Sequence, residues 1–152
     1  MMNKLRCAGM VDISQKEITV RKAAAQGVIT LKPKAYKLLM TNQSPKGNVF
    51  ETARVAGIGA AKLTPSIIPL CHPLNLEKVK IEFKPLASKH AVLVMSEVFC
   101  TGKTGVEMEA LASVSAACLT IYDMMKWAGQ DMVIHDIQLI FKSGGKSGDY
   151  KK

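Results

Sequence analysis

The 152-residue chain has no apolar run approaching the roughly 18 residues that a membrane-spanning helix needs, which argues against an integral membrane protein. Its opening, Met-Met-Asn-Lys-Leu-Arg-Cys-Ala-Gly, has no apolar core of the kind a secretory leader carries, so a cytoplasmic protein is expected. Cys7, Cys71, Cys100 and Cys118 show no paired spacing and no Cys-x-x-Cys. They read as reduced thiols, not as a disulfide frame or a zinc site. Phosphate-binding fingerprints are also missing. The segment Ser143-Gly-Gly-Lys-Ser147 would need Gly at position 140, which is Ile, and Gly57-Ile-Gly59 would need Gly at position 62, which is Lys.

Acidic residues are scarce in the first half. Residues 1–76 carry 11 Lys/Arg against 3 Asp/Glu, whereas residues 77–152 carry 10 against 9. Such an excess favours anionic partners such as phosphates, nucleotides or RNA, although solubility alone accounts for it equally well. RNA binding meets a specific objection. The third strand of an RNA-recognition domain carries stacking aromatics, but here that strand reads Val-Leu-Val-Met-Ser-Glu-Val-Phe and aromatics make up 5% of the chain.

What is present describes one folded domain. A hydrophobic fraction of 48% and a mean hydropathy of +0.12 exclude a disordered chain. Residues 1–11 read as a flexible tail, 12–142 as a catalytic α+β domain and 143–152 as a flexible basic tail. Ile18–Arg21 and Gly27–Leu31 predict strand pieces joined by Lys22–Gln26. Pro33 suits the first turn of a short helix, and Asn48 with Glu51 predicts a cap for a helix reaching about Lys62. Alternation over Lys78–Lys84 predicts a strand with one wet face. Ala91–Cys100 predicts a second and Val133–Phe141 a last one, with odd and even positions on opposite faces. Thr104-Gly-Val-Glu107 predicts a capping box for a long helix that Gly129 closes. The order β-α(α)-β-β-α-β is the split βαβ pattern of ferredoxin-like domains, an antiparallel sheet with helices on one face.

The long helix holds thirteen uncharged residues, Ala110–Tyr122, between Glu107 and Glu109 at one end and Asp123 and Lys126 at the other. Ionisable groups beside a buried helix are costly unless paired or used, which predicts a partly buried Asp123. Glu109 and Asp123 share a face, about 40° apart around the axis, yet stand about 21 Å apart along it. The small residues Ala112, Ser113 and Ala116 form a stripe that lets two copies of the helix approach. Two copies, not one, would then bring both ends to one small substrate. Cys71-His72, between Pro69 and Pro73, sits on a stiffened loop that can present imidazole to an anion or simply satisfy a carbonyl. Lys46, in Pro-Lys-Gly, is unremarkable alone.

Taken in order, Met10-Val-Asp-Ile-Ser14, Lys46-Gly47, Ala60-Ala61-Lys62, Ile68-Pro-Leu-Cys-His-Pro73, Lys103-Thr-Gly-Val-Glu-Met-Glu-Ala-Leu111, Leu119-Thr-Ile-Tyr-Asp-Met124 with Lys126, and Lys142-Ser-Gly-Gly-Lys-Ser-Gly-Asp149 are specific. Over residues 10–150 the chain resembles the molybdenum cofactor biosynthesis protein C family, the cyclic pyranopterin monophosphate synthases. The resemblance implies a hexamer, a trimer of dimers, with active sites between subunits. It implies conversion of a cyclised dihydro-GTP, supplied by a radical S-adenosylmethionine enzyme, into cyclic pyranopterin monophosphate and pyrophosphate. By the same resemblance Asp123, Lys46 and Lys126 are catalytic, and Leu70, Cys71, His72, Met108 and Glu109 contact substrate. Asp12, Arg21, Glu107 and Lys142 are further pocket positions. No nucleic-acid or membrane partner and no cofactor is implied, with Mg²⁺ on the substrate triphosphate left open. Two departures stand out: Asn48 occupies an expected Asp position, and Trp127 an expected small one.

Overall fold

The computed structural model describes residues 8–152; Cys7 and most of the tail expected over 1–11 lie outside the described residues. The elements are β1 (Thr19–Thr30), α1 (Pro33–Met40), α2 (Val49–Lys62), α3 (Thr64–Ile67), β2 (Leu76–Leu86), β3 (Ala91–Gly102), α4 (Glu107–Met125), β4 (Val133–Ser143) and β5 (Tyr150–Lys151), with short 3₁₀ turns at 87–89 and 126–128. The strands pair in the order β2-β3-β1-β4-β5, antiparallel throughout. The split βαβ reading is therefore correct: an α+β protein with helices packed on an antiparallel sheet.

Helix α4 lies across β1, β3 and β4, and α2 packs against α4 and β2. The core between them is built from Ala23, Ala25 and Ile29 of β1, Val92, Val94 and Val98 of β3, and Val114, Ala117, Cys118 and Ile121 of α4. Small residues decide how closely these layers approach. Ser96 Oγ donates to the Ala110 carbonyl at 2.8 Å, and Ser113 Oγ donates to the Gly57 carbonyl at 3.0 Å. Both hydroxyls are buried and satisfied, so they cost nothing and fix the helix against a strand on one side and against α2 on the other. The stripe expected to face a second copy is thus split. Ser113 is taken up inside the chain, while Ala112 and Ala116 remain partly exposed.

Four other expectations are corrected. The first strand is continuous, not two pieces, because Lys22–Gln26 pairs with both neighbours and Ala23 and Ala25 are fully buried in the core. Propensity misread this stretch, since alanine is depleted in strands. The capping box does not form: the N-cap is Val106 without a side-chain bond, and Glu107 turns away from Thr104 toward Lys142. The strict alternation of β4 is broken by a bulge at Asp136, whose φ is +52°. Ile134 and Leu139, of opposite parity, both pack on the core as a result. Asp123 is not partly buried, its side chain being 53% exposed in the chain. The cap at α2 is as expected, with Asn48 Oδ1 accepting the Glu51 amide at 3.1 Å.

The contact between α2 and α4 supplies a test. A Cβ on Gly57 would stand 2.9 Å from the Ser113 carbonyl oxygen and 2.3 Å from Ile81 Cδ1, whereas one on Gly59 would meet nothing within 4 Å. Gly57→Ala should therefore destabilise by about 1–3 kcal/mol through overpacking. Gly59→Ala, on the same helix, should be neutral or stabilising by up to about 1 kcal/mol through helix propensity. Urea unfolding of the two variants provides the comparison.

Candidate active site

At the N-terminal end of α4 four segments converge: 11–16, 70–74, 103–109 and 142–147. They enclose two adjoining clefts. The first, about 400 Å³, is lined by Val11, Ile13, Lys16, Leu70, Cys71, His72, Leu74, Thr104, Gly105, Glu107, Met108 and Glu109. The second, about 310 Å³, is lined by Lys16, Arg21, Lys22, Lys142, Lys146, Ser143 and Ser147 with Gly145, and shares Thr104, Gly105 and Glu107 with the first. One is mostly apolar with a few acidic and thiol groups; the other is strongly basic. Leu70, Cys71, His72, Met108, Glu109 and Glu107 thus gather in the first cleft, and Arg21, Lys142 and Glu107 in the second.

Glu109 is 3% exposed, and no lysine or arginine stands within 4 Å of its carboxylate among the described residues. Burial, and then the neighbouring Glu107 charge, push its carboxyl above the ordinary range. The Cys71 thiol is pushed up by burial and by Glu109, and the Cys100 thiol likewise. The floor of the first cleft therefore favours neutral, proton-bearing groups. Among the described residues Cys71, Cys100 and Cys118 are free thiols, and burial alone pushes Cys118 up to about 12. No set of three or more His, Cys, Asp or Glu side chains among the described residues is arranged to hold a metal ion.

Glu107 stands on the ridge between the clefts and pairs with Lys142 at 3.3 Å. It folds close over Gly105, so that a Cβ there would lie 1.9 Å from Glu107 Oε2 and the carboxylate would have to move aside. Lys142 also reaches Ser147 Oγ at 3.4 Å. Asp12 does not line either cleft. Its Oδ1 accepts the Ser14 amide at 2.8 Å, which lowers its carboxyl, and so it shapes the turn that delivers Lys16. Lys103 Nζ holds that turn by donating to the Ser14 carbonyl at 2.8 Å. Lys16 escaped the sequence reading because it is an isolated lysine in a loop, and Lys103, though it opens the Lys103–Leu111 block, was not named as a site residue. Only the turn at Asp12-Ile-Ser14 hinted that the segment is ordered.

The remaining three residues meet at the far end of α4. Asp123 Oδ2 lies 2.6 Å from Lys46 Nζ, and Oδ1 lies 2.7 Å from Lys126 Nζ. The hydrogen bond from Lys126, and then that from Lys46, hold the Asp123 carboxyl down at about 2. Lys46 arrives there because the loop after α1 is pinned. Ser44 Oγ, buried, donates to the Met124 carbonyl at 3.0 Å and accepts the Lys46 amide at 3.2 Å, and Gly47 completes the turn at φ +97°. Ser44 was missed in the sequence, where a serine in a polar loop carries no signal. Trp127, next to Lys126, is 48% exposed. Fourteen residues of helix separate this cluster from Glu109, about 21 Å of axis. Along that length runs an apolar groove of about 300 Å³ formed by Ala60, Ile67, Ile68, Met108, Leu111, Ala112, Ser115, Ala116 and Leu119.

A raised carboxyl binds more protons folded than unfolded, so Glu109 costs stability as pH rises from the unfolded carboxylate range through its own raised value. Glu109→Gln should accordingly stabilise the fold at neutral pH. The gain should shrink toward zero as the pH falls below the ordinary carboxylate range. Thermal unfolding of both proteins across that span measures it, and a pH-independent difference would refute the buried-charge account.

Comparison with known proteins shows the family. The MoaC family model matches residues 10–145. A cyclic pyranopterin monophosphate synthase from a Methylobacterium species is 51% identical over 143 residues, covering 94% of this chain and 89% of that protein. Another, from Pelotomaculum thermopropionicum, is 48% identical over 145 residues, covering 95% of this chain and 85% of that protein. With nearly the whole chain matched, and with the lysine–aspartate cluster and all of the cleft lining except Lys146 and Ser147 inside the matched span, the chain belongs to the MoaC family.

Proposed function

We infer that the chain is a cyclic pyranopterin monophosphate synthase of molybdenum cofactor biosynthesis, a phosphorus–oxygen lyase. The observation that carries this is the identity of about half of all positions to two such synthases over at least 94% of the chain. We propose further that its substrate is a cyclised dihydro-GTP, delivered by a radical S-adenosylmethionine enzyme, and that the protein works in the cytoplasm. No helix among the described residues is long and apolar enough to cross a membrane.

The basic cleft suits the triphosphate, with Lys16, Lys142 and Lys146 as cations. The first cleft suits the ring system, with Leu70 and Met108 as apolar walls and His72, Cys71 and Glu109 as its hydrogen-bonding groups. Forming a cyclic monophosphate requires a substrate hydroxyl oxygen to attack the α-phosphorus. One P–O bond forms, the P–O bond to pyrophosphate breaks, and the hydroxyl proton passes to a base. Rebuilding the ring requires protons at nitrogen and oxygen, for which Lys46 and Lys126 are the proposed donors. Asp123 holds one ammonium on each of its oxygens and so fixes where both protons are presented.

The donors and the clefts lie at opposite ends of α4, so we propose that one site draws on two chains. A second copy packed antiparallel along the apolar groove would set the end of its α4 beside the start of the first. The assembly proposed is a homohexamer, a trimer of dimers.

Purified protein given the cyclised dihydro-GTP should release pyrophosphate and cyclic pyranopterin monophosphate; an intact oligomer that releases neither would sink the assignment. Arginine keeps the positive charge of lysine but holds its proton too tightly to transfer it. Lys46→Arg and Lys126→Arg should each keep substrate binding and lose at least about a hundredfold in rate, the lower end for general acid–base catalysis. Near wild-type turnover in both would reduce the lysines to electrostatic attraction. Mixing inactive Glu109→Ala and Lys126→Ala oligomers after mild dissociation should restore part of the activity. None restored, with subunit exchange verified, would place the whole site within one chain.

A further inference from the structure

Arg21 is the buried cation of the basic cleft, 8% exposed on the central strand β1. Its Nε donates to the Gly102 carbonyl at 3.3 Å and its Nη2 to the Lys103 carbonyl at 3.3 Å. The same side chain also lies against the turn that follows β4. A Cβ on Gly145 would stand 3.1 Å from Arg21 Nη1, and one on Gly144 would stand 3.3 Å from Arg21 Cδ and 2.0 Å from the Val20 carbonyl oxygen. Gly144 has φ +91°, and its carbonyl accepts from Thr19 Oγ1 at 2.7 Å. Two segments that are distant in sequence, 102–105 and 143–147, therefore rest on one guanidinium.

From this geometry we propose that Arg21 is a positioning residue, which sets the spacing between the lysines of the two loops without itself binding phosphate. The 102–105 loop carries Lys103, which ties down the turn bearing Lys16; the Gly144–Gly145 turn determines where Lys146 falls. A planar fork that donates to two carbonyls while its Nη1 and Cδ pack against Gly145 and Gly144 does this by shape. A lysine carries the same charge but lacks the fork. The glycines matter for the same reason, because any side chain there lifts the tail turn off its support.

The proposal rests on the reading of the basic cleft as the phosphate end, and the tests separate the two. In Arg21→Gln and in Arg21→Lys alike, KM should rise about tenfold while kcat stays within about threefold and its pH profile does not move, as expected when pre-organisation is lost but the chemical groups remain. Hydrogen exchange should show the amides of 103–105 and 145–147 losing protection together in both variants. Inorganic pyrophosphate should raise the protection of both loops in the wild-type protein and not in the variants. Gly145→Ala, which leaves Arg21 in place, should give the same pattern more weakly and guards against a failure of the Arg21 variants to fold. Recovery of wild-type KM by Arg21→Lys would make Arg21 a phosphate contact and overturn the proposal. So would unchanged exchange in either loop. If the wild-type protein turned over no substrate, the exchange results would still decide the role of Arg21.

Discussion

Everything in this protein is arranged around one long helix, buried along one side against α2 and the sheet and bordered on the other by the apolar groove. α4 achieves this through backbone proximity more than side-chain bulk. Gly57 and Ser113 let α2 lie against it, Ser96 ties it to β3, and Ala23 and Ala25 let β1 pass beneath. Close-packed small residues leave no room for relaxation, so the helix acts as a rigid spacer. On the buried side they also leave no room for charge; on the groove side the helix is apolar too, and the ionisable groups collect at the two ends. The separation of the clefts from the lysine–aspartate cluster is thus a consequence of packing.

The two ends have opposite electrostatic character. Around Glu109, burial favours neutral groups, and the carboxyl and two thiols all shift toward their protonated forms. Around Asp123, exposure and two ammonium groups favour full ionisation. An open ion cluster of this kind contributes little to stability, since water screens each pair and long side chains lose entropy in holding it. Its geometry is nevertheless well determined, by the Ser44 anchor and by helical spacing. Structure maintained without a stability return is what a site awaiting a partner would show, and on the proposed reading the partner is the cleft of a second copy.

How much of this was legible in the sequence depends on the range of the interactions involved. The α2 cap, the wet face of β2 and the order of elements follow from neighbours along the chain, and all were readable. The parity of β4 was not, because the Asp136 bulge is decided by pairing with β1. The capping box failed for a similar reason: Glu107 had a local partner in the pattern and found a distant one, Lys142, in the fold. In the clefts, the block Pro-Leu-Cys-His-Pro announced itself through its prolines, whereas Lys16, Lys103 and Ser44 gain meaning only from carbonyls more than seventy residues away or from the turn next to them. The pairing of Lys46 with Asp123 spans 77 positions and could be suspected from the family resemblance alone.

The ridge between the clefts shows how the uneven charge of the chain is put to use. The basic excess lies in residues 1–76, yet in the second cleft Lys16, Arg21 and Lys22 from that half meet Lys142 and Lys146 from the other. Five cations in so small a space would repel one another, and Glu107 offsets part of that by engaging Lys142. Arg21 directs two of its donors at carbonyls, which removes them from competition for an anion. On the proposed reading, an incoming polyphosphate would meet the ammonium groups of Lys16 and Lys146, Lys22 and Lys142 being paired with Glu97 and Glu107, and a guanidinium already committed to two carbonyls. On that reading, affinity would come from the lysines and register from the arginine. This division of labour gives the buried position to the residue whose planar fork can satisfy two carbonyls, and leaves lysine where a single flexible charge is enough.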